Sequence, residues 1–338
     1  MPIDYHAGRR QFDTVETCSA ARAYGANVLM ENRAGRAKPV SRDKLVWGII
    51  AAFAGIDVLW AWSVGIAIKP DLMTPLGLAV LVLTNYVYVA VRPNPRIATL
   101  AGSTAQLVAF TAVSCVLIYL TVGSDFPLTD RYLSAADAAV GFDWLALFNW
   151  VQDHPGINRV LGFAYGSGIG QIAVLLLLLN VLGMLERTAE FVWLYILTLL
   201  ITIPIAWLFP AESAWVHYEV TDRVFAYHLA DLSALRAGKM SEIALGRMNG
   251  LVTFPSFHTA LGLILIYATR GIRFLFPVSL AFNALMIAST LTAGGHYLVD
   301  VIAGAAVVPA AIAVFGLAQR ELAKHQLVGG SVLRVARN

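Results

Sequence analysis

Residues 296–317 read HYLVDVIAGAAVVPAAIAVFGL. After Asp300 the stretch carries no charged residue for 17 positions and is built mostly of Ala, Val, Ile and Leu. A helix rises 1.5 Å per residue, so about 20 such residues cross the roughly 30 Å of hydrocarbon in a bilayer. A water-soluble surface helix of this length keeps a polar face, and this one has none. The stretch therefore reads as a membrane span, with His296, Tyr297 and Asp300 at its start.

Seven further apolar runs lie upstream, at 45–68, 72–91, 97–122, 160–185, 191–209, 257–268 and 274–292. The run at 257–268 is short for a span, so it must borrow flanking residues or sit partly out of the lipid. Backbone polar groups in lipid must be satisfied within the segment, which makes helices the expected form. The expected fold is all-α, a polytopic membrane helix bundle with about eight transmembrane helices. Composition agrees: 58% of the 338 residues are hydrophobic and 13% charged, where soluble domains are about half apolar and a quarter charged. The first run begins at residue 45, too long and too far in for a cleaved leader, so a retained span is expected. The expected organisation is a cytoplasmic polar tail at 1–44, a membrane catalytic domain at 45–319 and a cytoplasmic tail at 320–338.

The net charge of +3 is small and no dense basic patch is interleaved with aromatics, so nucleic acid is not an expected partner. Cys18 lies in the polar tail and Cys115 in an apolar run; neither a disulfide nor a zinc pattern is present. Two connections are long, 123–159 and 210–254. In the first, Val140, Trp144, Leu147, Phe148 and Val151 recur at spacings of 3 and 4 and share one helical face. With Trp150 nearby, that face is expected to lie at the membrane interface, the alternative being a packed surface helix.

Of the 24 Lys and Arg residues, 17 fall on the side that holds both tails and 7 on the other. Cytoplasmic loops are the ones enriched in Lys and Arg. Both tails are therefore expected in the cytoplasm and both long connections outside it, in a bacterial inner or plasma membrane. Asp57 reads as a bundle-facing polar contact. Gln106, Asn180 and Asn283 read as interhelical hydrogen-bond partners. His154, His217 and His228 lie on the side of the long connections and stay unassigned.

Two places carry chemistry. Phe254-Pro255-Ser256-Phe257-His258-Thr259 opens the sixth run, and His296-Tyr297-Leu298-Val299-Asp300 opens the eighth. The i, i+4 spacing puts His296 and Asp300 on one helical face. Asp300 can then accept from one ring nitrogen of His296 and leave the other free as a nucleophile. One run down and one up separate His258 from His296, so both reach the same, extracytoplasmic, membrane boundary. Two histidines and a carboxylate there supply a group to attack phosphorus and a group to protonate the departing oxygen. Pro255 suits a first helical turn. Ser256 and the free N–H groups beside it suit phosphate oxygens. Charge logic adds Arg247, nine residues before Ser256, with Lys239 and Arg236 as further candidates for a phosphate clamp.

These residues resemble the type 2 phosphatidic acid phosphatase superfamily of membrane lipid phosphatases and phosphotransferases, over residues 239–304. The family's Pro-Ser-Gly-His motif is matched by Pro255-Ser256-Phe257-His258, and its His-x-x-x-Asp by His296 and Asp300. The resemblance implies that His296 is the phosphorylated nucleophile, Asp300 its orienting partner and His258 the general acid. It implies a lipid phosphate substrate and neither metal nor cofactor. The family's Ser-Arg ahead of the third motif is Ser289-Thr290 here, and its first motif is echoed loosely by Lys239 and Arg247, with Met248 in place of proline. In motif style the chain is closest to the inositol phosphorylceramide synthase branch, which transfers a phospho-headgroup between lipids. Two alternatives stay open: a simple lipid phosphatase with water as acceptor, and a membrane transporter, which leaves the paired motifs unexplained. The oligomeric state is not legible.

Overall fold

The computed structural model describes residues 40–226 and 228–335. The expected polar tail therefore lies, up to residue 39, outside the described residues. The chain runs through α1 (Val40–Val64), a short strand β1 (Ala67–Lys69), α2 (Met73–Tyr86, extended by a π-helical turn at Val87–Val91) and α3 (Pro95–Val122). The first long connection holds α4 (Asp130–Ala139) and α5 (Trp144–Gln152), followed by α6 (Pro155–Gly166), α7 (Gly168–Val181) and α8 (Leu185–Leu208). The second holds α9 (Ala214–His217), α10 (Leu229–Arg236) and β2 (Glu242–Ala244). Then come α11 (Phe257–Ala268), α12 (Leu275–Ala293) and α13 (Leu298–Val335). The chain divides into two compact units after Ile49, within α1; the site lies in the unit that begins at Ile50.

The all-α expectation holds, since the two strands are only three residues each. Among the described residues six helices are long and apolar enough to cross a membrane: α1 from Asp43, α2 with its π turn, α3, α8, α12, and α13 as far as Glu321. The pair α6 and α7 adds a seventh if it is one span bent by 53°. The expected count of about eight is not reached on length, and the reason is α11. Its 12 residues extend about 18 Å. Ala260, Leu261, Ile264, Leu265 and Ala268 are all buried, with α11 packed against α7, α8, α12 and α13. A helix surrounded by other helices has no need to match the lipid thickness. Gly262 allows a close approach to α12: a Cβ there would lie 3.0 Å from Ile287 Cγ1 and 3.1 Å from the Met286 methyl.

The bend between α6 and α7 falls at Gly166-Ser167-Gly168. Glycine weakens a helix interior, and the Ser167 hydroxyl donates back to the Ala164 carbonyl at 2.6 Å, a combination that favours a kink. α2 contributes no buried residue; Leu76, Val80 and Leu83 stay exposed, as fits a lipid-facing helix. α3 starts where Asn94 accepts from the N–H groups of Arg96 and Ile97, with Pro95 in the first turn.

Both long connections lie on one side of the bundle. β1 and β2 pair in parallel, Ala67 opposite Glu242 and Lys69 opposite Ala244, with an ion pair between Lys69 and Glu242. The α1–α2 turn is thereby fixed to the second connection. The Asp130 carboxylate of the first connection accepts from the N–H groups of Glu212 (3.0 Å) and Ser213 (3.1 Å) of the second.

Most of the apolar face of the first connection is packed, while Val140 at its start is 67% exposed. Trp144, Phe148 and Val151 are buried. Trp144 stacks between Phe148 and Tyr218, each ring centroid 5.1 Å away. Ala211, Ala214, Trp215 and Val220 of the second connection pack with Trp144 and Phe148, while Trp150 remains 50% exposed. Among the polar intramembrane residues, Asn180 does bridge helices, donating to Thr188 of α8 at 3.3 Å. Asn283 instead donates within its own helix, to Ser279. Gln106 is buried. Asp57 is 3% exposed, and neither of its oxygens has a partner among the described residues.

Candidate active site

Ser256 begins the site by capping α11. Its side-chain oxygen accepts from the Thr259 N–H at 3.3 Å and from the Thr259 hydroxyl at 3.1 Å, which satisfies donors the helix leaves free. Pro255 sits one residue ahead of this cap, not inside the first turn. The cap fixes His258 in that turn, where its ring stacks on Tyr165 of α6 with centroids 4.2 Å apart.

α12 ends at Ala293, and Gly294 and Gly295 turn the chain into His296. Gly295 has φ +66, and a Cβ there would lie 2.7 Å from the Trp215 ring. At Gly294 a Cβ would lie 2.6 Å from Tyr165 and 3.0 Å from the His296 ring. Only glycine fits both places. Two indoles then hold the turn. Trp144 Nε1 donates to the Leu291 and His296 carbonyls, both at 3.0 Å, and Trp215 Nε1 donates to the Thr292 carbonyl at 3.0 Å. These satisfy carbonyls that the end of α12 leaves unpaired.

α13 begins at Leu298, so His296 precedes the helix instead of occupying its first turn. The expected contact is still made: His296 Nδ1 lies 3.3 Å from Asp300 Oδ2. That is long for a hydrogen bond. The same carboxylate oxygen accepts from the Tyr297 N–H at 2.8 Å, in the manner of the acidic residue of a capping box. Asp137 of α4 completes the cap by accepting from the Leu298 N–H (2.8 Å) and the Val299 N–H (2.9 Å). Burial raises the Asp137 pKa, and those two N–H bonds oppose the rise. Asp130 accepts from the Tyr297 hydroxyl at 3.0 Å.

The two motifs are joined through their backbones. The Ser256 N–H donates to the Asp300 carbonyl at 3.0 Å. Gly304, one turn further along α13, lies so close to the Ser256 carbonyl that a Cβ has no room. His258 and His296 consequently line one cavity of about 380 Å³, together with His228, Tyr165, Trp215 and Asn249. His296 is only 2% exposed. Its burial lowers its pKa from 6.5 to about 4, against the opposing effect of a hydrogen bond to the backbone of Thr253. The imidazole is therefore neutral at pH 7, the form that can attack. His228 also has a lowered pKa, through burial first and then the proximity of His296, with Asp231 acting in the other direction.

The basic residues and Ser256, named from sequence as phosphate-binding candidates, are not among the residues that line this cavity. Arg247 and Lys239 are exposed on the second connection. Arg236 donates one guanidinium nitrogen to the Phe126 carbonyl at 3.0 Å. The Ser256 side chain is fully buried and occupied by its cap. Ser289 and Thr290 donate to carbonyls of their own helix. Sequence reasoning missed Asp137, Asp130 and the Trp144 and Trp215 indoles. Asp137 precedes its partners by about 160 residues, and no local pattern connects them. A glycine pair directly before a motif histidine was the one readable sign that something packs tightly there.

The PAP2 superfamily model matches residues 131–314, more than half of the chain and inclusive of both motifs. No curated protein and no solved structure matches the chain. With six helices able to cross a bilayer and this match over the catalytic segment, the chain belongs to the PAP2 superfamily and is an integral membrane enzyme of the lipid phosphatase type.

Proposed function

We propose that the protein transfers or hydrolyses phosphate esters of lipids through a phospho-histidine on His296, and that its preferred acceptor is a hydroxyl group, in the manner of inositol phosphorylceramide synthases. The observation that supports this most directly is that His296, backed by Asp300, shares one cavity with His258. In the first step the ring nitrogen of His296 turned away from Asp300 attacks phosphorus. The ester P–O bond breaks, and its electron pair goes to the leaving oxygen, which takes a proton from His258. Asp300 holds the Nδ1–H and stabilises the positive charge that develops on the ring. In the second step His258, now neutral, takes a proton from the acceptor hydroxyl. The acceptor oxygen attacks phosphorus, the P–N bond breaks, and His296 is restored.

His258 needs a proton before the first step. An incoming phosphate favours it, since a nearby negative charge stabilises an imidazolium. The nucleophile and the acid are thus matched to opposite protonation states in one site.

The test is a lipid panel with purified protein in detergent, following inorganic phosphate release and headgroup transfer together. Transfer to an added lipid or polyol hydroxyl is the expected result. Phosphate release alone, unaffected by acceptor alcohols, makes water the acceptor. Turnover of no phospholipid contradicts the proposal.

A further inference from the structure

We propose that His228 binds the non-bridging oxygens of the substrate phosphate, so that a third imidazole fills the place of the absent arginine; this rests on the phosphoryl-transfer reading above. A phosphoryl group needs charged or N–H donors aimed at its oxygens. No Lys or Arg side chain is among the residues that line the catalytic cavity. Arg247 and Lys239 are exposed, and Arg236, whose guanidinium donates to the Phe126 carbonyl, lies outside that lining. Asn249 lines the cavity, but its side-chain amide donates to Asp231 at 2.9 Å and its backbone N–H to the Tyr119 hydroxyl at 2.8 Å. His258 and His296 are engaged in proton transfer and attack. His228 is the remaining cavity group able to take a full positive charge.

Its position is built rather than incidental. The His228 ring lies 5.8 Å from the Trp215 ring, the indole that packs on Gly295 and donates to Thr292 just before His296. One side chain thus spaces His228 from the nucleophile's turn. On its other side, α10 is held by Asp231, which accepts from the Tyr119 hydroxyl of α3 at 2.6 Å and from Asn249. The charged and titratable groups that act on His228 are His296 and Asp231. Without substrate its proton affinity is low, because burial and His296 both disfavour the cation. A phosphate bearing one or two negative charges reverses this balance and draws a proton onto the ring. The result is a charge-assisted N–H bond formed only with an anionic ligand, which excludes neutral lipid headgroups.

The test separates binding from chemistry. Inorganic phosphate is titrated calorimetrically into the detergent-solubilised protein and into His228→Ala and His228→Arg, with thermal unfolding recorded for each. All three are also built with His296→Ala, which removes covalent chemistry. His228→Ala is expected to weaken phosphate binding roughly tenfold or more, the worth of one charge-assisted hydrogen bond, and His228→Arg to restore it. KM for a phospholipid should follow the same order. Unchanged phosphate affinity in a folded His228→Ala protein overturns the proposal, as does absence of phosphate binding by the unaltered protein. Equal weakening in Ala and Arg variants also overturns it, because that marks a structural residue. If the histidine pair proves not to form a phospho-enzyme, the ordering of affinities in the His296→Ala background still reports on His228 alone.

Discussion

His296 combines a buried ring with a carboxylate behind it, and the two have separate effects. Burial keeps the ring neutral down to about pH 4, and Asp300 decides which nitrogen carries the proton. The sign follows directly. In the proposed mechanism the neutral form attacks, so activity is expected to be lost only as pH falls through the folded value, below the ordinary imidazole value of 6.5. With a phosphodiester lipid, whose own charge is constant in this range, the acid limb of kcat/KM should lie near pH 4; a limb at about 6.5 contradicts a buried nucleophile. His258 answers to a different variable. His258→Ala should slow lipid esters by about 10²–10⁴-fold, the usual worth of a general acid. It should slow an aryl phosphate with a good leaving group much less, and equal loss on both substrates removes His258 from that role. That His258 and His296 would come together was legible because the two patterns are local: a histidine opening an apolar run, and a histidine four residues before an aspartate. The surroundings of the basic candidates were not. A basic residue nine positions from a motif is near in sequence, yet Arg247 ends on the exposed face of the connection.

At the level of elements, the start of α13 sets the site. Its leading N–H groups are divided between Asp300, from its own third position, and Asp137 from α4. Asp137→Ala should lower stability by about 1–2 kcal/mol, as for a lost cap, and should reduce kcat with little change in KM, because it loosens Asp300 and not the lipid contacts. Thermal unfolding beside steady-state kinetics checks this; full activity with unchanged stability contradicts it. Every apolar run read from sequence corresponds to helix, since length and hydropathy determine whether a segment can sit in lipid. What a run length does not tell is its surroundings. α11 is short because other helices enclose it, and the periodic face of α5 serves a packed interior as well as an interface. Periodicity locates a buried stripe but does not name what buries it.

For the whole molecule, the paired strands, the Asp130 contacts and the two motifs all gather on one side of the bundle. We propose from the distribution of Lys and Arg that this side is extracytoplasmic. A cysteine replacing Asp222, exposed on the second connection, should react with a membrane-impermeant thiol reagent in intact cells, above the background of the unaltered protein. Labelling only after lysis reverses the orientation. The proposed orientation rests on a charge count alone, whereas the folding of two long connections into a layer of stacked aromatics was not legible, because those contacts join residues more than 70 positions apart. The covalent intermediate tests the mechanism most directly. Protein incubated with a lipid labelled at phosphorus is quenched, kept under conditions that preserve phospho-histidine, and mapped by peptide. The mechanism predicts label on His296 and none in His296→Ala; label on His258, or label that persists in His296→Ala, contradicts it.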